Sequence, residues 1–164
     1  MLENIRAHSI MVEKVAGLIG RGLLEAGCVL SLKMISAGAL MHDIAKTPCL
    51  SSGGDHAAMG RDICLENHLD EIADIVAEHV VLKDDGAEGG IREKEIVYYA
   101  DKRVTHDQVV SLEERLDYLL ERYAKGKEQI VPLIMANFNH CKEVEAKIFA
   151  GLPFDPEDVS RLIG

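Results

Sequence analysis

The stretch AGALMHDIAKT at residues 37–47 decides the fold prediction, because it ends an apolar run with a His-Asp pair. His42 follows Ile35 and Ala39 at the spacing that places side chains on one face of a helix. The pattern therefore predicts a helix whose last turn points polar side chains toward the core. Burying an imidazole or a carboxylate is costly unless the group is hydrogen-bonded, ion-paired or bound to a metal.

Other segments place a metal-ligand type of side chain on an apolar face in the same way. These side chains are His8, His56, His79 and Asp101. One histidine on an apolar face is usually an ordinary core residue, so a single position predicts little. Five segments that each direct such a group into the core are best explained by a shared ion.

Four imidazoles and two carboxylates are too many ligands for one ordinary zinc site. They suit two ions that share a carboxylate, and mixed nitrogen and oxygen donors favour transition metals over Ca or Mg. His42 and Asp43 point roughly 100° apart on a helix. At a helix end both can reach one ion, or Asp43 can bridge two. We expect two divalent transition metal ions; the donors leave Fe, Mn, Co, Ni and Zn open, and of these we prefer Fe or Mn.

The length of 164 residues fits one domain, and helix-forming residues dominate. No strand pattern is convincing. Helices are predicted at roughly 3–26, 31–43, 55–67, 70–81, 91–104, 111–124, 128–150 and 156–163. Loops are predicted at 44–54 and 82–90. We expect residues 1–110 to form a metal-binding helical core, with the helices of 111–164 packing on it within the same domain.

The net charge of −10 argues against polymeric nucleic acid as a partner but allows a small phosphorylated ligand. No apolar run is long enough for a membrane span. The first residues, MLENIRAHSI, lack a signal-peptide core, and the four cysteines show no CxxC pair, so we expect a cytoplasmic protein. The apolar face of 111–124 predicts packing within the domain, with a homodimer as the alternative.

The ordered set of His8, His42-Asp43, His56, His79 and Asp101 resembles the HD-domain superfamily of metal-dependent phosphohydrolases. AGALMHDIAKT surrounds the pair, HAAMG follows it, and YYADKR ends the set at residue 103. A second His-Asp pair at 106–107 lacks an apolar lead-in and is rejected as the motif. The resemblance implies an all-α HD-domain helical bundle with extra C-terminal helices, and an enzyme that hydrolyses phosphate esters or anhydrides.

The resemblance also implies how the ligands are shared. His8, His42, Asp43 and Asp101 would hold one ion, and Asp43 would bridge to a second ion held by His56 and His79. Within the superfamily, the sequence most resembles the branch that contains symmetrical dinucleoside tetraphosphate hydrolases. Their sequences also contain the motifs HD-x-x-K and Ala-Asp-Lys. The run His79-Val80-Val81-Leu82 departs from the Thr and Gly usual there.

Three cationic side chains near the motif are candidates for binding a substrate phosphate. With Asp43 they form the predicted set of catalytic residues. They are Lys46, Lys102 and Arg103, and for each the alternative is a solvated surface charge. The leading hypothesis is a binuclear phosphohydrolase acting on a small nucleotide. The alternatives are a catalytically silent HD-type regulatory module that binds a nucleotide or metal, and a purely structural bundle.

Overall fold

Helices make up nearly all of the regular structure in the computed structural model, which describes residues 1–83 and 89–164. In chain order they are α1 (Glu3–Glu25), α2 (Leu32–Met41), α3 (Lys46–Ser52), α4 (His56–Glu66), α5 (Asp70–Glu78), α6 (Glu93–Lys102), α7 (Leu112–Leu119), α8 (Val131–Phe149) and α9 (Val159–Ile163). A π-helical turn at Leu120–Ala124 extends α7, and 3₁₀ turns at Glu128–Ile130 and Pro156–Asp158 precede α8 and α9. The predicted all-α fold is confirmed.

Two predictions about local structure are wrong. The segment 44–54, predicted as a loop, contains α3: Pro48 lies in the first helical turn, where its missing N–H costs little, and Gly53 (φ 72°) ends the helix in the left-handed region. A two-residue hairpin, β1 (Val104–Thr105) with β2 (Gln108–Val109), was also missed. The loop predicted at 82–90 lies partly outside the described residues.

The core is built where α1, α2, α5 and α6 meet. Helix α1 packs against α2 and α6, α2 also contacts α5 and α6, and α4 packs on α5. Helix α6 runs through the middle, and its residues 96–100 are fully buried. Because the ligand-type side chains lie on these helices or at their ends, this packing brings them together.

The C-terminal helices close one side of the bundle. Helix α8 packs against α6 and α7, and α9 packs against α1. Phe138 and Ile148 of α8 are buried against the core. The boundary between 110 and 111 stays a prediction. None of the helices formed by the described residues combines the length and hydrophobicity needed to cross a membrane.

The close approach of α2 to α5 depends on Gly38, and a substitution there tests it. A Cβ at Gly38 would lie 2.5 Å from Ile75 Cγ2. We expect Gly38→Ala to lower the free energy of unfolding by about 1–3 kcal/mol in urea titrations, because overpacking strains the core. The control is Gly17→Ala in α1, where the nearest atom is the far end of the flexible Arg21 side chain. It should be neutral or stabilising by up to about 1 kcal/mol, and equal losses in both variants would contradict the prediction.

Candidate metal centre

All six predicted metal-ligating side chains converge on one region, and most of them are placed by helix ends. His8 lies in α1, His42 directly follows α2, and Asp43 comes next in the turn to α3. His56 begins α4, where the side chain of Asp55 caps the helix. His79 directly follows α5, and Asp101 lies in the last turn of α6. Helix α2 ends at Met41, so the adjacent residues His42 and Asp43 follow it and can both point inward.

Asp43 lies at the centre of this convergence. Its Oδ1 is 3.3 Å from His56 Nε2 and 3.5 Å from His79 Nε2, whereas its Oδ2 is 3.5 Å from His42 Nε2. The two oxygens thus face different groups of histidines. Two sets of atoms are close enough together to hold an ion, one from His8, His42 and Asp43 and the other from Asp43, His56 and His79.

Asp101 completes the first of these groups. Its Oδ1 lies 3.0 Å from His8 Nε2 and 3.6 Å from His42 Nε2. Asp101 and His42 are both buried. The arrangement therefore agrees with the ligand sets that the resemblance implies, although the ligand roles stay a prediction.

The backbone fixes the orientation of three imidazole rings. His8 Nδ1 donates to the carbonyl of His106, His42 Nδ1 to that of Ala39, and His79 Nδ1 to that of Val76, over 2.7–2.9 Å. A carbonyl accepts hydrogen bonds and cannot donate them, so each Nδ1 carries the proton. In a neutral ring, Nε2 then presents a lone pair to the centre of the site, as in metal-ligating histidines.

These lone pairs face groups that are also acceptors. His42 Nε2 and Asp43 Oδ1 are buried and have no hydrogen-bond partner among the described residues. His56 Nε2 lies 3.2 Å from His79 Nε2 and can donate to it when His56 carries its proton on Nε2. Buried acceptors that face each other are destabilising unless a cation lies between them. A donor set of imidazole nitrogens and carboxylate oxygens is the one that divalent transition metals take, so the residues present fit such ions.

The pKa values of the carboxyl groups in the site also indicate that it favours positive charge. Burial alone would raise the pKa of Asp43, yet contacts with His42, His56 and His79 hold it below its usual range. Burial also opposes ionisation of Asp101, but the Lys102 charge, the His8 hydrogen bond and the charges of His42 and Arg115 together lower its pKa. Burial lowers the pKa of His79 to about 4, which keeps that ring neutral and able to bind a metal at neutral pH.

Two of the predicted phosphate contacts pair with carboxylates of the site. Lys46 Nζ donates to Asp43 Oδ2 over 2.7 Å, and its side chain is about one-third exposed. Lys102 Nζ donates to Asp101 Oδ2 over 3.0 Å and to the His79 carbonyl. Lys102 is buried, with Nζ 4.5 Å from the centre of the Tyr98 ring. Both lysines border the cavity described below.

Arg103, the third predicted phosphate contact, points elsewhere. Its guanidinium donates to the carbonyls of Val110 and Pro156 and to the Tyr99 hydroxyl. It also lies 3.5 Å from Glu145. These contacts tie the end of α6 to the C-terminal segments. The structure thus gives Arg103 a structural position, away from the six converging side chains.

A cavity of about 470 Å³ opens from the site toward the C-terminal helices. Its polar lining includes Asp43, Lys46, His56, His79, Asp101 and Lys102. Its apolar lining includes Leu50, Leu119, Tyr123, Ile130, Ile134 and Phe138. Sequence reasoning missed this wall, and it also missed Arg115 of α7, which borders the cavity. The apolar face of 111–124 was the available signal, but it does not reveal which cavity it lines.

Comparison with known proteins identifies the family. A family model of the HD domain matches residues 5–106, which is more than half of the chain, so the chain belongs to the HD-domain family. Members of this family are generally metal-dependent hydrolases. No solved structure matches the chain significantly.

A curated relative is the tRNA (cytidine(56)-2'-O)-methyltransferase of Picrophilus torridus, which is 25% identical over 131 residues. The match covers 71% of this chain and 38% of the relative. The chain therefore spans less than two-fifths of that protein's length.

Substitution of Asp43 tests whether one residue serves two ions. We expect Asp43→Ala to lower the metal content of protein reconstituted with Fe or Mn from about two ions per chain to near zero. His56→Ala should lose about one ion, because the first group of ligands remains. Elemental analysis measures both, and circular dichroism checks folding, since metal loss also costs stability.

The control is His68→Asn, at an exposed position with a positive φ that asparagine tolerates. It should keep the wild-type metal content. An Asp43→Ala protein that retains two ions would disprove the bridging role.

Proposed function

We propose that this protein is a binuclear metal-dependent phosphohydrolase that cleaves a phosphoester or phosphoanhydride of a small nucleotide. The observation that carries the proposal is the convergence of four imidazoles on Asp43 and Asp101, with three rings oriented by backbone carbonyls. Fe or Mn is the metal we expect. Divalent ions in such a site lower the pKa of a bound water and neutralise charge on a phosphate.

The chain's own residues supply the remaining parts of the reaction. Lys46 borders the cavity and is partly exposed, so its ammonium group can bind a phosphate oxygen. Lys102 is held between Asp101 and the His79 carbonyl, so it positions both of these residues. The apolar lining of the cavity includes an aromatic ring, Tyr123, that can stack on a ring system of the substrate.

The size of the cavity supports a nucleotide as the substrate. A volume of about 470 Å³ falls within the range of small-molecule sites. An apolar chamber beside cationic and metal-binding side chains is complementary to a molecule with a ring system at one end and phosphate at the other. Within the family, we place the protein nearest to the symmetrical dinucleoside tetraphosphate hydrolases, on the HD-x-x-K and Ala-Asp-Lys motifs.

One observation favours the alternative, a catalytically silent module that binds a nucleotide or metal. Asp43 and Asp101 already have ammonium partners in Lys46 and Lys102, so both carboxylates are partly neutralised without an ion. Turnover separates the two functions. We test a panel of nucleoside monophosphates, nucleoside diphosphates and dinucleoside polyphosphates. Metal-reconstituted protein should release phosphate or a nucleotide from at least one of them. Metal binding without turnover across this panel would favour the silent module.

The role of Lys46 is tested on the best substrate of this panel. We expect Lys46→Ala to keep its metal content but to lose roughly ten- to a thousandfold in kcat/KM, because a charge-assisted contact to the phosphate disappears. Lys125→Ala, which removes an exposed lysine outside the cavity, is the control and should match the wild type. If Lys46→Ala loses metal as well, the lysine acts through Asp43 and not on the substrate.

A further inference from the structure

A second, smaller cavity adjoins the first and shares part of its lining. Its volume is about 130 Å³, and it shares Asp43, Lys46, Arg115, Leu119 and Tyr123 with the larger cavity. Its other polar lining residues are Asn4, His8, His106, Tyr118 and Arg122. Cationic side chains thus gather here in a chain whose net charge is −10, which is the opposite of the protein's overall field.

Among the described residues, Arg115 is the cationic side chain common to both cavities whose hydrogen bonding is incomplete. Its Nε is buried and has no partner among the described residues. Nη1 donates to Thr105 Oγ1 over 3.5 Å, which is long for a hydrogen bond. The guanidinium carbon lies 5.6 Å from the centre of the Tyr118 ring. A buried N–H without an acceptor is destabilising. The side chain is therefore arranged for an acceptor that a ligand would provide.

Arg115 is itself only partly buried, and the fully buried cations of this region differ from it in their hydrogen bonding. Arg103 donates to the carbonyls of Val110 and Pro156 and to the Tyr99 hydroxyl. Lys102 is paired with Asp101. Arg115 lies at the junction of the two cavities with donors to spare, and a guanidinium can bind two oxygens of one phosphate.

We propose that Arg115 binds a second phosphate group of the substrate, next to the phosphate that faces the metal-binding side chains. This inference rests on the proposed function and narrows its substrate class to nucleosides that carry at least two adjacent phosphates. The ring system occupies the larger apolar chamber, and the additional phosphate enters the cationic cavity beside Arg115 and Arg122. Because Arg115 lies outside the matched family region of 5–106, this selectivity belongs to the C-terminal helices of this chain.

The experiment compares one phosphonate group with two. Manganese-loaded protein is titrated calorimetrically with methylphosphonate and with methylenediphosphonate, neither of which can be hydrolysed. The measured quantity is the ratio of the two dissociation constants. In Arg115→Met we expect the preference for the diphosphonate to fall by about ten- to a hundredfold, the effect of losing a hydrogen bond to a charged group. Arg115→Lys should lose less.

Arg61→Met is the matched control, because Arg61 pairs with Asp74 and borders neither cavity. It should leave the ratio unchanged. An unchanged ratio in Arg115→Met overturns the inference, and so does loss of bound manganese, which would make Arg115 a positioning residue for Asp101. If the Met variant fails to fold by circular dichroism, the Lys variant decides, and a wild-type ratio there overturns the inference.

The outcomes also separate this inference from the proposed function. Turnover on the nucleotide panel with an unchanged ratio would contradict the role of Arg115 alone. If the ratio falls as expected but the protein hydrolyses no member of the nucleotide panel, the proposed hydrolase function is contradicted. Arg115 would then be part of a binding module.

Discussion

Hydrogen bonds from the Nδ1–H groups of His8, His42 and His79 to backbone carbonyls are the constraint on which the centre of this molecule depends. Each bond fixes the tautomer and the rotation of its ring, so that Nε2 must point at Asp43 or Asp101. Two of the carbonyls come from the last turn of the helix that precedes the histidine. Carbonyls in the last turn of a helix have no partner within the helix. Here two of them accept hydrogen bonds from the imidazoles and thereby orient them.

This constraint explains why the site lies at helix ends. In the middle of a helix, neighbouring residues point to different sides, and their carbonyls are used by the backbone. At the end of α2 the chain can turn both His42 and Asp43 inward, and Gly38 lets α2 approach α5 closely enough for His42 and His79 to meet. The hairpin after α6 has a related function, because His106 adopts a left-handed φ of 56° and its carbonyl holds His8.

Hydrophobic periodicity predicted the helices and the set of converging side chains, because a polar residue on a buried stripe has few places to point. It could not predict α3, since Pro48 and Gly53 read as turn formers although they act as start and stop signals of a short helix. The partners of the cations were also beyond sequence reasoning. Arg103 and Arg115 are both long and flexible, and tertiary packing alone directs one to the C-terminal segments and the other to the cavities.

The pairing of Lys46 with Asp43 links the metal-binding side chains to substrate binding. Asp43 Oδ2 accepts from Lys46 and also faces His42, so a divalent ion held by His42 and Asp43 would compete with the ammonium group for this oxygen. A displaced ammonium group would remain at the wall of both cavities, where a phosphate is the complementary anion. In the proposed hydrolase, the lysine would therefore neutralise the carboxylate before metal binds and the substrate afterwards. This exchange gives a physical reason for a lysine one helical turn after the His-Asp pair.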